Sequence, residues 1–418
     1  MKINKEIQDI LLKRFFVTLG VILFVRSGTF LPVPGINHSD LAFYIQNHSV
    51  TQSLVSTFSG NDTFVIGLFT LNIFPYINAS ILLQLILGLS PQLAKLQKEG
   101  DLEGRRVINR LTRFITLIFA LVQSVSLALY LKQILFNWSY ILAFEIVVFL
   151  TTGAMIVLWL GELISDYGLG NGASLLIYTN IISNLPNLTK TIFLENQQNF
   201  TLFSEIGIVL LIFGSLYGIV FLQEGIRLIP LISSKQLNQS SLQDSVTSKN
   251  YIPLRFNQAG VMPIILTTTI LVVPNYISSL GLLPKIEFPG NIEFFKVFYW
   301  VGYFGLILLF SLVYSTIVLN PKDMSDQLQK MAVTIPGVRP GIQTTYYLKQ
   351  VMKRITLVGA TMLATLATIP NFIESTLNLT SLNGLSTTSL LILAGVVVEL
   401  VREVKNIYYS NIYNNMYQ

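Results

Sequence analysis

The stretch FSGNDTFVIGLFTLNIFPYINASILLQLILGLSP, Phe58–Pro91, holds the question on which the reading of the whole chain turns. It opens on Ser59-Gly60-Asn61-Asp62, which belong in water. It then becomes apolar, meets Asn72 and Pro75, and ends as a hydrophobic run long enough to enter a bilayer. Proline lacks an N–H and suits the first turn of a new helix better than the interior of a continuing one. The stretch therefore predicts a short, half-polar helix followed by a separate membrane helix.

The rest of the chain places this stretch in a membrane protein. Of 418 residues, 52% are hydrophobic and only 11% charged, against about 25% charged in a soluble domain. Hydropathy read over a window of about 19 residues places ten spans, near 15–32, 71–90, 112–131, 139–164, 173–188, 203–223, 259–281, 297–319, 355–376 and 387–404. Two sizeable polar loops remain, 225–256 and 320–354. The N-terminal segment MKINKEIQDILLKRFF is charged and amphipathic, without a signal-peptide cleavage site or a transit-peptide composition. The chain is expected to be mature from Met1 and inserted by its first span.

Charge gives the orientation. Of the 27 Lys and Arg, 22 fall in the N-terminus, the 91–113 segment, the two large loops and the C-terminal tail, which alternate onto one side. The opposite side receives Lys132, Lys190, Lys285 and Lys296, and Arg26 falls within a span. The positive-inside rule puts both termini and both large loops in the cytoplasm or its equivalent. Five spans per half would relate the halves by an inverted repeat, dividing the chain into 1–190 and 191–418.

Chemistry is sparse. With no cysteine and only His38 and His48, thiolate chemistry and a His-based metal site are excluded, and no cofactor is expected. Arg26, Glu145, Glu162 and Glu224 lie in or near apolar runs, where a charge at the bilayer centre costs at least about 2.5–3.5 kcal/mol. Three are close to span ends and Glu145 is near the outer boundary, so a structural role stands beside a functional one. The run DYGLGNGAS, Asp166–Ser174, has alternating glycines but neither a preceding strand nor a following Lys-Ser/Thr. It reads as a tight turn between spans, with Asn171 or Ser174 near the next helix start. Neither a serine-hydrolase elbow nor a zinc-protease helix is present, so the chain is not expected to be an enzyme. In the 320–354 loop, Pro336-Gly337-Val338-Arg339-Pro340-Gly341 predicts a stiff turn presenting Arg339. Such a turn suits protein docking, since little entropy is lost on binding; an ordinary solvated arginine is the alternative. The 225–256 loop, with Arg255 before the seventh span, reads in the same way.

Six segments, correctly ordered over nearly the whole chain, resemble the SecY family, central subunits of the Sec protein-translocation channel. They are FVRSGTFLPVPGIN (Phe24–Asn37), FPYINASILLQL (Phe74–Leu85), KEGDLEGRR (Lys98–Arg106), LWLGELISDYGLGNGASLLIY (Leu158–Tyr178), PLRFNQAGVMPII (Pro253–Ile265) and IPGVRPGIQT (Ile335–Thr344). The resemblance implies an all-α membrane protein of ten transmembrane helices in two inverted five-helix halves around a central pore. It implies a plug helix over about 55–67, including Phe58, Ser59, Gly60, Asn61, Phe64 and Gly67. It also implies a pore ring of Ile77, Ile81, Ile177, Ile181, Ile265 and Ile392, the last by a weaker alignment. Aliphatic side chains can surround a passing chain of any sequence and exclude water when it is absent, as a hydrophobic gate does.

The same resemblance implies a channel that moves unfolded polypeptides across the membrane and releases apolar segments laterally between spans two and three and spans seven and eight. Its partners would be a small SecE-like membrane subunit, signal peptides and translocating polypeptides, and membrane lipids. The SecA ATPase or a translating ribosome, or both, would dock near Arg255 and Arg339, with no direct nucleic-acid function. The compact tail and the Asn/Ile-rich composition point to the thylakoid membrane of a plastid, with a bacterial plasma membrane as the alternative. A secondary transporter with inverted repeats, or a non-transporting scaffold, would account for the spans without a gate.

Overall fold

The computed structural model describes residues 2–33, 66–89, 102–132, 138–195, 202–233, 250–258, 260–268, 270, 292–318, 320–377 and 387–416. Hydrocarbon offers no water to backbone N–H and C=O groups, so segments at membrane depth pair them internally as helices. The helices are α1 (Lys2–Gly28), α2 (Phe74–Leu89), α3 (Leu102–Leu131), α4 (Tyr140–Tyr167), α5 (Gly172–Glu195) and α6 (Leu202–Glu224), then α7 (Ile292–Val318), α8 (Pro321–Lys330), α9 (Ile342–Leu377) and α10 (Thr387–Met416). They cover the regions of nine of the ten spans read from hydropathy, and the seventh is helical at 262–268. Among the described residues, four stretches are long and apolar enough to cross a membrane: Arg106–Leu129, Tyr140–Tyr167, Tyr299–Lys330 and Ile342–Pro370.

The chain divides into two compact units, one of Met1–Asn199 with Val396–Gln418, the other of Phe200–Gly395. In the first, α1 and α3 pack on α4, α2 on α3, and α4 on α5. Ala120, Ala128, Leu131, Ile146, Leu150 and Ala154 form its buried centre together with Val33, Ile66 and Leu71. The turn from α4 to α5 is the short one expected. Asn171 Oδ1 accepts from Ala173 N at 3.1 Å, and Gly170 takes a φ of +84°. Ser124 of α3 meets Thr151 of α4 at 3.0 Å between the hydroxyls, a polar contact that joins two spans where lipid gives no hydrophobic drive for association.

The second unit has a membrane part and a folded polar part. In the membrane part α9 packs on α7 and α6, and Ser315 on α7 and Thr356 on α9 share a 2.8 Å hydrogen bond. The polar part departs from its description as two loops. Strands β1 (Ile226–Ser233), β2 (Asn250–Arg255) and β3 (Val333–Thr334) form an antiparallel sheet in the order β2-β1-β3, with Ile226 opposite Arg255 and Ile232 opposite Thr334. Ile229 and Leu254 on one sheet face join Leu328 of α8, Ile335, and Leu348, Val351, Met352 and Ile355 of α9 in a buried core. The two loops are thus one small α/β structure at the end of the helices.

Between α1 and α2 runs a non-helical segment, Ile66–Ile73, almost wholly buried. Its Leu68 carbonyl faces Gly153, at the middle of α4, and Gly67 sits against the carbonyl of Thr29 at the end of α1. A Cβ at either glycine would overlap a backbone oxygen. Adding even one methyl at Gly153 should cost about 1–3 kcal/mol through overpacking. We therefore expect Gly153→Ala to lower the melting temperature of the detergent-solubilised protein, and Gly302→Ala on α7, with nothing within 4 Å of the added carbon, to leave it unchanged. Thr70 Oγ1 accepts from Gly67 N at 2.7 Å and donates to Gly67 O at 2.8 Å. Thr70→Val keeps the shape but strands the Gly67 N–H, a loss of about 1–3 kcal/mol. Thermal unfolding should show this loss, with Thr70→Ser close to the parent.

Candidate functional site

The Ile66–Ile73 segment brings the chain to the start of α2 at the depth of the inner part of α4. There the backbone has no helix to satisfy it, so its pairing is made one group at a time. Val33 N donates to Ile66 O at 3.0 Å and Leu68 N to Leu31 O at 2.9 Å, with a bridge between Pro32 and Gly67. Asn72 adopts φ +46°, a left-handed conformation that Asn tolerates better than most residues. Its Oδ1 accepts from Ile73 N at 2.8 Å, occupying a donor that the first turn of a helix leaves open. Pro75 follows as the second residue of α2, as the proline in the opening stretch predicted. Gly67 is held by close backbone contact, so at this residue a glycine serves proximity and not loose hinging. Of the other residues assigned to the plug, Phe58, Ser59, Gly60, Asn61 and Phe64 lie outside the described residues, as do His38 and His48.

Ile77 and Ile81 lie one turn apart on α2, both buried, and Ile177 and Ile181 lie one turn apart on α5, both half-buried. In the second unit Ile265 is buried within the helical stretch 262–268, and Ile392 is half-buried on α10. Each is therefore an aliphatic side chain on a helix, the chemistry a water-excluding constriction needs. A residue at i and i+4 shares a helix face, so each pair on α2 and α5 acts as a two-layer stripe.

The charged residues flagged from the sequence take structural or surface positions. Arg113 forks onto Glu162, with Nε donating to Oε1 at 2.9 Å and Nη2 to Oε2 at 2.7 Å, a bidentate pair between α3 and α4. Glu145 and Glu224 are exposed. Arg26 lies 5.2 Å from the Phe30 ring centroid and keeps its Nη1 buried without a hydrogen-bond partner among the described residues. None of these sites pairs two acids at helical spacing.

Arg255 and Arg339 are both exposed, the first at the end of β2 and the second in the turn between β3 and α9. The second turn is built to hold its shape. Gly337 and Gly341 take φ of +76° and +98°, a region that disfavours a Cβ. Val338 N donates to Ile335 O at 3.1 Å, and Thr344 Oγ1 to Arg339 O at 2.8 Å. Ser325 Oγ of α8 donates to Gly341 O at 3.0 Å. The predicted stiffness of PGVRPG thus has named bonds behind it. The sequence reading missed the sheet beneath it, because LIPLI in β1 and YIPL in β2 are unbroken apolar runs, each with a proline, which hides the strand alternation.

A family model described as SecY matches residues 67–401. The chain is 60% identical, over 98% of both chains, to a Trieres chinensis protein named protein translocase subunit SecY. Proteins of that name from Guillardia theta and Porphyra purpurea are 41% and 40% identical over 96% of this chain. Among solved structures, one described as a protein conducting channel is similar with a TM-score of 0.67 at 17% identity, covering 97% of this chain and 94% of that one. Sec61 in a canine ribosome–channel complex is similar with a TM-score of 0.63 at 16% identity, covering 97% and 94%. These structures share the fold, an all-α membrane architecture. The ordered motifs, the helices that carry them and the match across nearly the full length agree: this chain belongs to the SecY family.

Proposed function

We propose that the chain is the channel subunit of a protein translocase, passing unfolded polypeptides across a membrane and releasing apolar segments sideways into it. The observation that carries this reading is the match over 98% of both chains to a protein named as a translocase subunit. The site chemistry supports it. The candidate ring positions Ile77, Ile81, Ile177, Ile181, Ile265 and Ile392 are all aliphatic, which suits a gate that must be indifferent to the sequence of its cargo. A transporter would instead need buried polar groups to coordinate substrate, and the relatives speak against that alternative.

In this reading the segment around 55–67 is the plug, and the ring closes when no cargo is present. The two halves are 1–190 and 191–418, with lateral exit between spans two and three on one side and seven and eight on the other. A small SecE-like subunit clamps the halves. Energy comes from a SecA-type ATPase or a translating ribosome docked on the structure carrying Arg255 and Arg339, since a channel of this kind performs no chemistry itself. Algal and cyanobacterial relatives, including one from Synechocystis at 37% identity, favour the thylakoid membrane of a plastid, with both termini on the stromal side.

Two measurements test this. A photoreactive residue at Ile81 or Ile265, in membranes carrying a stalled secretory precursor, should crosslink to the hydrophilic part of that precursor. A precursor that engages the membrane while neither position reacts removes the proposed path. The chain has no native cysteine, so single cysteines report topology without background. A cysteine at Lys405 should react with an impermeant maleimide from the stromal side, and one at Lys132 only from the opposite side; the reverse pattern inverts the proposed orientation.

A further inference from the structure

Lipid removes the usual reason for helices to stay together. Hydrocarbon solvates a lone apolar helix as well as a neighbouring helix does, so association rests on close packing and on hydrogen bonds across the seam. The constraint bears hardest on α3 and α7. They are spans three and eight, which the proposed reading sets beside the lateral exit, where an apolar segment leaving the channel competes for their surfaces. None of the candidate ring isoleucines lies on either helix, or on α4 or α9.

Each of the two is joined to the span that follows it by a pair of hydroxyls. Ser124 on α3 meets Thr151 on α4 at 3.0 Å, and Ser315 on α7 meets Thr356 on α9 at 2.8 Å. Ser124, Ser315 and Thr356 are buried. The seams around these bonds are close-packed. On α3, Thr116, Ala120, Ser124 and Ala128 recur at every fourth position, all small and all buried. Ala120 and Ala128 share a core with Ile146, Leu150 and Ala154 of α4. On α9, Thr356, Ala360, Ala364 and Thr368 recur in the same way, and Ala364 shares a core with Tyr303 and Ile307 of α7. Side chains this small let two helix backbones approach. The first seam carries a second tie: Arg113 precedes Ser124 by 11 positions and Glu162 follows Thr151 by 11, so the Arg113–Glu162 fork keeps the same antiparallel register.

We propose that α3 with α4, and α7 with α9, are two leaves that stay intact while the exit opens, and that Ser124, Thr151, Ser315 and Thr356 are the positioning residues that hold each wall helix on its leaf. A departing apolar segment offers α3 or α7 the same hydrocarbon contact that lipid does, but no hydroxyl at these points. Only the partner helix supplies one. A wall helix free to detach would widen the exit for segments of low apolarity, so the two ties help to set how apolar a segment must be before it is released. This rests on the reading of the chain as a translocation channel with its exit beside spans three and eight.

The test uses the channel with its small membrane subunit and a SecA-type ATPase in proteoliposomes, with precursors whose test segment is graded from leucine-rich to alanine-rich. Alkaline extraction separates released segments from translocated ones. Thr151→Val and Thr356→Val keep the side-chain shape and remove the tie. Each should raise release of a segment of midpoint apolarity by about threefold, the weight of one average interhelical hydrogen bond in a bilayer. Thr151→Ser and Thr356→Ser keep the hydroxyl and should match the parent, a rescue that a packing role alone would not give. An unchanged midpoint in both valine variants overturns the proposal. Because the chain has no cysteine, Ser124→Cys with Thr151→Cys, and Ser315→Cys with Thr356→Cys, can also be closed by oxidation. The closed pairs should release leucine-rich segments as readily as their reduced forms. Release that stops on closure and returns on reduction means that a wall helix must leave its leaf, and the proposal falls. A parent channel that neither passes nor releases any precursor removes the underlying reading, an outcome distinct from failure of the leaves alone.

Discussion

An unpaired amide in hydrocarbon is costlier than almost any side-chain misfit, and the architecture of this chain follows from that constraint. Where the helix can be continuous, it is. Where the chain departs from helix at membrane depth, between Ile66 and Ile73, the groups are matched individually by Leu31, Val33, Thr70 and Asn72. The glycines at 67 and 153 are there because that matching draws backbones closer than a side chain allows. A segment built this way has a fixed start, so α2 begins at a defined depth and carries Ile77 and Ile81 at a defined height.

The same economy appears in the second unit with different means. The helices α6, α7 and α9 supply packing in the membrane, and Ser315 of α7 adds local polar contacts to Thr356 of α9 and to Gln258, which precedes the seventh span. Outside the membrane the chain returns to ordinary soluble physics. A short sheet and the amphipathic α8 bury Ile229, Leu254, Leu328 and Ile335 against the exposed end of α9. Asn320 caps α8 by accepting from Lys322 N at 3.1 Å, with Pro321 at the first position. Ala332 then turns the chain through a φ of +52° into β3. The result is a rigid platform on which a loop can present Arg339 instead of merely carrying it.

Much of this was legible in the sequence. Runs near 20 residues and the scarcity of charge gave the membrane class, and Pro75 marked the restart of a helix. The glycines of PGVRPG and of DYGLGNGAS marked turns, because positive φ leaves a signature in residue type. The sheet was not legible, since β1 and β2 are apolar on both faces and the alternation that would have named them is erased. Nor was the fixed role of Gly67. A glycine required by close approach looks, in sequence, identical to one required for freedom. The Arg113–Glu162 pair was equally hidden, because its partners are separated by 49 positions.

That pair bears on how the polypeptide enters the bilayer. Loops that carry Lys or Arg are held on their side during insertion by those charges, but the turn between α4 and α5, 165–172, carries none. Its end of α4 instead places Glu162 against Arg113, a residue of the basic segment that precedes and opens α3. On the orientation proposed here, the positive charge beside this turn therefore sits on an earlier helix. Once α3 is anchored, α4 can settle with its acidic end beside it, and the order of synthesis supplies what the local sequence omits.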